Sequence, residues 1–142
     1  MNKSLALLIV VLMFSGCAIR QTVSPIDKFE GAQVCIVQNP KVKEGFLVAF
    51  KQVLIDKGYE VRVLEPSSSL DTCPITSTYT ANWHWDMSVY MVYAAIKVYK
   101  NAKTAGEAIY DSRGGGANMG KFINAEEKVR ELVNQLFPSR GS

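Results

Sequence analysis

Apolar residues fall along this chain in distinct patterns, and each predicts an element. Leu5–Phe14 (LALLIVVLMF) is ten apolar residues in succession with no polar face. Ala32–Gln38 (AQVCIVQ) is a shorter run between Gly31 and Asn39-Pro40, which reads as a buried strand. From Val42 to Lys57 the spacing becomes helical. Val42, Phe46, Ala49, Phe50, Val53 and Leu54 share one face, with Lys43, Glu44, Lys51, Gln52 and Asp56 mostly on the other. Gly58 follows as a residue able to take positive φ and end the helix. Tyr59–Glu65 (YEVRVLE) alternates as a strand does, so strand, helix and strand form a right-handed β-α-β unit with parallel strands.

The second half reads mainly as sheet. Pro66–Pro74 is a loop. Ile75–Asp86 alternates, placing Tyr79, Ala81, Trp83 and Trp85 on one face and Thr78, Thr80, Asn82, His84 and Asp86 on the other. The chain reverses near Asp86–Ser88. Val89–Tyr99 is apolar on both faces, as expected of a central strand covered on both sides. Asn101–Gly106 is a turn, and Glu107–Arg113 completes a meander. Gly114–Phe122 (GGGANMGKF) is too rich in glycine for regular structure. Asn124 caps a closing helix with Glu127 in capping-box position; Val129, Leu132, Val133, Leu136 and Phe137 form its apolar stripe, and Pro138 ends it. The expected fold is α+β: one mixed sheet of about five strands in the order β-α-β-β-β-β-α, with both amphipathic helices on one face.

The first apolar run is an address rather than a fold element. Lys3 precedes it, the small residues Ser15-Gly16 follow, and its length is half of the ~20 residues that a spanning helix needs. The stretch F-S-G-C then resembles a bacterial lipobox, although Phe14 stands where Leu is usual. That resemblance implies a signal peptide over 1–16 and a lipidated (palmitate-bearing) Cys17, with Ala18 directing the protein to the outer membrane. Ala18–Gly31 is polar, contains Pro25 and lacks a period, so 17–31 reads as lipidated cysteine plus tether, with a reach of ~20 Å, and 32–138 as a single domain. The formal charge of +3 becomes +2 once Lys3 is removed, and no basic cluster is present, which excludes a nucleic-acid partner. Cys35 and Cys73 remain as an even pair in an oxidising envelope and are read as a disulfide. With one histidine in the chain, no metal site or cofactor is expected.

Candidate chemistry is sparse. Gly115, Gly120 and Lys121 fit the spacing of a phosphate loop, but Phe122 occupies the place of the magnesium-binding Ser or Thr, and no parallel sheet can be built onward from that loop. Arg113, Lys121 and the capped N-terminus of the last helix offer a weaker anion site. Asn82, His84 and Asp86 form a polar row; a His–Asp pair at strand spacing suits acid–base work, but the sequence places no nucleophile beside it. Trp83 and Trp85 read first as core, with an exposed aromatic platform as the alternative.

YTANWHWDMSVYMVYAAIKVYK, GEAIYDSRGGG, GKF and AEEKVRELVNQLF together resemble an uncharacterised family of small proteobacterial outer-membrane lipoproteins. More loosely, the element order is similar to the amino-terminal domain of TolB. The resemblance implies a periplasm-facing α/β sandwich and no particular site residue. The resulting expectation is a non-enzymatic outer-membrane lipoprotein, held by its lipid anchor, that binds another envelope protein in assembly. A small lipid or glycan carrier is the alternative and a hydrolase the third reading. The expected binding residues are Asn82, His84, Asp86, Arg113 and Lys121.

Overall fold

The computed structural model describes residues 18–140; the expected signal peptide and Cys17 lie outside them. The strands are β1 (Arg20–Ser24), β2 (Gln33–Val37), β3 (Glu60–Leu64), β4 (Ile75–Asp86), β5 (Ser88–Lys100) and β6 (Lys103–Asp111), and the helices α1 (Glu44–Asp56) and α2 (Ala125–Leu136). They form one mixed sheet in the order β1-β6-β5-β4-β2-β3. β2 runs parallel to both β3 and β4, whereas β4, β5, β6 and β1 are antiparallel neighbours.

The α+β class and the β-α-β unit agree with the patterns read above. α1 buries Phe46, Ala49, Phe50, Val53 and Leu54, while α2 buries Val129, Leu132, Val133 and Leu136. These stripes meet Ile36, Tyr79, Ala94, Ile96, Ala108 and Tyr110 in one continuous core on one side of the sheet. Phe50 packs edge-on to Tyr79 and tilted against Phe137, locking the helices to each other and to β4. Gly58, at φ 94°, turns the chain out of α1. Asn124 Oδ1 accepts the Glu127 N–H at 3.0 Å and caps α2.

The expected tether is instead the sixth strand. Arg20–Ser24 pairs with Asp111–Glu107, and Ile26 is buried, its N–H donating to Leu136 O at 3.0 Å. Gln21 bonds Glu131, and Lys128 bonds both, tying β1 to α2. The polar composition hid this strand: an edge strand has one face in water and presents too few apolar residues for a period to show. The turn after β5 is also tighter than expected. Asn101 (φ 49°) and Ala102 (φ 64°) reverse the chain in two residues, the geometry that suits a twisted hairpin. Gly106 thus lies within β6, where Ile26 and Ser24 cross directly above it; a Cβ there would stand 2.5 Å from Ile26 Cγ2.

On the opposite face Cys35 and Cys73 form a disulfide, with Cα atoms 6.2 Å apart. It pins the 66–74 loop over β2 and buries a small cluster with Val37 and Leu64. Among the described residues no helix packs on the rest of that face. Tyr93 and Tyr99 are half-buried and Lys97 is exposed, so β5 is central in the sheet but is not covered on both sides.

Candidate functional site

β4 and β5 outrun their neighbours, and the candidate residues lie where they do. Arg20, Asp111, Tyr93 and Asn82 are paired in succession across β1, β6, β5 and β4. Beyond that row, Trp83–Asp86 and Ser88–Met91 continue as a two-stranded arm, reversing at Met87 with φ 63°. The register slips at Asn82/Trp83, leaving Val92 as the extra residue on β5. The glycine-rich loop supports the arm: Phe122 packs edge-on against Tyr90, with ring centroids 5.0 Å apart.

All five expected binding residues reach this end of the sheet. Asn82 and His84 are exposed. Asp86 Oδ2 accepts the Lys121 ammonium at 2.7 Å, and the same ammonium donates to Gly116 O at 2.6 Å. Lys121 itself is buried, its stem covered by the loop and its charge near the Tyr90 and Phe122 rings. Arg113 makes a two-pronged contact with Asp111, at 2.9 and 2.7 Å, and lies 4.4 Å over the Tyr93 ring. The guanidinium hydrogen bonds hold the Asp111 carboxyl below its ordinary range.

These pairings decide between the candidate chemistries. The anion site is not assembled, because Arg113 is engaged by Asp111 and Lys121 by Asp86. The first turn of α2 also carries Glu126 and Glu127, which oppose an anion there. The His84–Asp86 pair does not form a dyad, since Asp86 is bound to Lys121. Among the described residues no group of three or more His, Cys, Asp or Glu is placed to hold a metal.

The tryptophans divide. Trp83 is half-buried against the core with Lys43 Nζ 5.1 Å above its ring, whereas Trp85 is 76% exposed. Met87 and Val89 beside it are 80% and 56% exposed. Alternation puts Trp85 and Val89 on the face of the sheet that carries the helices, but past the point where the helices cover it. Alternation assigns Trp85 and Trp83 the same phase; only the length of β4 relative to its neighbours separates them.

A cleft that sequence reasoning missed lies at the carboxyl ends of β2 and β3. It has a volume of about 380 Å³ and is lined by residues including Asn39, Lys41, Ser67 and Thr78. Asn39 is fixed there by Tyr79: its N–H donates to Tyr79 Oη and its side-chain amide to Tyr79 O, both at 3.0 Å. The space between sheet and helices, where a lipid or glycan carrier would hold its ligand, is occupied by fully buried Phe50, Leu54, Ile96, Tyr110, Leu132 and Phe137.

No protein-family model and no curated protein matches the chain. Among solved structures it is similar to the PelC dodecamer from Paraburkholderia phytofirmans in space group P6, at 13% identity and a TM-score of 0.56, covering 84% of this chain and 98% of that one. A single-substitution variant of that dodecamer in space group C2 matches at 13% identity with a TM-score of 0.54, covering 82% of this chain and 92% of the other. At this identity the likeness concerns the fold alone.

Proposed function

We propose that this chain is a lipid-anchored, non-enzymatic protein of the bacterial envelope, facing the periplasm from the outer membrane and acting by binding another envelope component. The observation that carries the reading is the combination of a Cys17 preceded by Ser15-Gly16 and an apolar run with a domain stapled by Cys35–Cys73. The first suits lipidation after export. The second suits the oxidising compartment that export reaches. Binding rather than catalysis is favoured because the charged groups of the candidate site are engaged with one another, leaving Asn82 and His84 beside a half-buried Tyr93 as a contact surface.

Two measurements test it. Labelled palmitate should enter the wild-type chain and not Cys17→Ser. A photo-crosslinker placed at His84 or Asn118 in living cells should give a discrete adduct with an envelope protein. Absence of label refutes the anchor, and absence of any discrete adduct at either position refutes this surface as the binding face.

A further inference from the structure

The arm formed by β4 and β5 ends in an apolar tip that points the same way as the chain's N-terminal end. Ala18 and Ile19 continue β1 past the Arg20–Asp111 pair, and β4 continues past Asn82, the residue in line with that pair. The contacts between the two ends are continuous. A Cβ on Gly114 would lie 3.2 Å from Ala18 O, and one on Gly115 would lie 3.4 Å from Ile19 Cγ1. Gly116 O and Asp86 Oδ2 are then bridged by the Lys121 ammonium.

Distances follow from chain geometry. Cys17 precedes Arg20 by three residues, so it can stand no more than roughly 11 Å beyond the Arg20 row. Trp83–Asp86 carries the arm roughly 13 Å beyond the same row at ~3.3 Å per residue. The tip thus reaches at least as far as the residue expected to carry acyl chains. Because Arg20–Ser24 is a paired strand, just two residues, Ala18 and Ile19, stand between the sheet and Cys17.

The geometry points to a second membrane contact: Trp85, Met87 and Val89 insert into the interfacial layer of the phospholipid bilayer that holds the acyl chains of Cys17. The inference rests on the acylation of Cys17 proposed above. The chemistry suits a bilayer surface. A tryptophan has an apolar body and a polar N–H and partitions to the headgroup boundary, and Met and Val add apolar surface beside it. Asp86, the carboxylate on the arm, is neutralised by Lys121, so it brings no unpaired negative charge to the headgroups. Lys43 and Arg20 are exposed, with Lys43 over Trp83 and Arg20 at the sheet end from which the arm departs, placed for lipid phosphates.

The chain has two tryptophans, so Trp83→Phe leaves Trp85 as the sole reporter and Trp85→Phe leaves Trp83 as the control. Each full-length protein is purified from membranes and reconstituted into phosphatidylethanolamine–phosphatidylglycerol vesicles, with and without brominated phosphatidylcholine. Intact mass reads acylation on the same samples. The inference expects Trp85 emission to shift to the blue relative to the detergent-free exposed indole, to be quenched by bromine and to be shielded from aqueous iodide, with Trp83 quenched less. Emission that stays red, is open to iodide and ignores bromine overturns it. Shielding from both quenchers also overturns it, since a second copy or a protein partner then covers the tip. A mass without acyl chains refutes the anchor alone; in that sample bromine quenching of Trp85 sustains the tip contact and its absence overturns it.

Discussion

Gly106→Ala puts one methyl group where the N-terminal strand crosses the sheet. Its Cβ would stand 2.5 Å from Ile26 Cγ2, 2.8 Å from Ser24 O and 3.2 Å from Ile26 N. Two of these are backbone atoms, so a side-chain rotation cannot relieve the clash; the Ser24–Ile26 segment must move. Lifting it exposes Ile26, worth ~1.5–3 kcal/mol of burial, and breaks the bond from Ile26 N to Leu136 O, worth about 1 kcal/mol net. Against this, alanine is better than glycine in a strand by about 0.5–1 kcal/mol. The net expectation is a loss of about 2–3 kcal/mol, which for a domain of this size lowers the thermal midpoint by roughly 10 °C. Thermal and urea denaturation of the purified protein read it. On an Ile26→Ala background the same substitution should cost less, because the nearest clash has gone. If the segment before Gly31 were a free tether, Gly106→Ala would be neutral or slightly stabilising, and that result would refute the strand.

Replacing both bridged cysteines, Cys35→Ala with Cys73→Ala, removes a link between residues 38 apart; loop-closure entropy puts the loss at ~4 kcal/mol, to be measured by urea denaturation, and a loss below about 1 kcal/mol would contradict it. Glu131 supplies an acid-dependent term. Its carboxyl is held below the ordinary range, first by the Lys128 hydrogen bond and then by that from Gln21. A depressed folded pKa gives stability that is present above the unfolded value of about 4.5 and is lost as pH falls through the folded one. Thermal melts between pH 7 and pH 3 should therefore fall more steeply below pH ~4.5 for wild type than for Glu131→Gln, and equal slopes would refute the role of that network.

Much of the fold is written in local periodicity because burial is local to each element. Phe46, Phe50 and Leu54 announce α1, and Leu132, Val133 and Leu136 announce α2, since a helix on a sheet must show one apolar stripe. Ile75–Asp86 is legible as a strand to its ends, and Cys35 with Cys73 is legible as the even pair that remains once Cys17 is read as lipidated. What failed to show is non-local. Arg20–Ser24 becomes a strand because β6 offers it an edge and α2 offers it Glu131 and Lys128, none of which its own composition reveals. Gly106 looked like a turn residue, but the reason for it lies in Ile26, eighty positions earlier.

The candidate site was legible in its membership and not in its pairing. Asn82, His84, Asp86, Arg113 and Lys121 do gather at one end of the sheet, as the meander and the glycine loop imply. That Lys121 would meet Asp86 and Arg113 would meet Asp111 depends on how the loop folds back under the arm. Trp85 was misplaced for a related reason. Alternation assigns a face, but how far the helices extend along that face decides what is covered, and residues past their reach are exposed whatever their phase.

The proposed envelope role and the proposed membrane contact of the β4–β5 arm both rest on acylation of Cys17. Intact mass spectrometry of the chain extracted from cell membranes tests it most directly. The expected species begins at Cys17 and carries the added mass of acyl chains, with Cys17→Ser lacking them. A mature chain beginning at any other residue, or an unmodified Cys17, would contradict it.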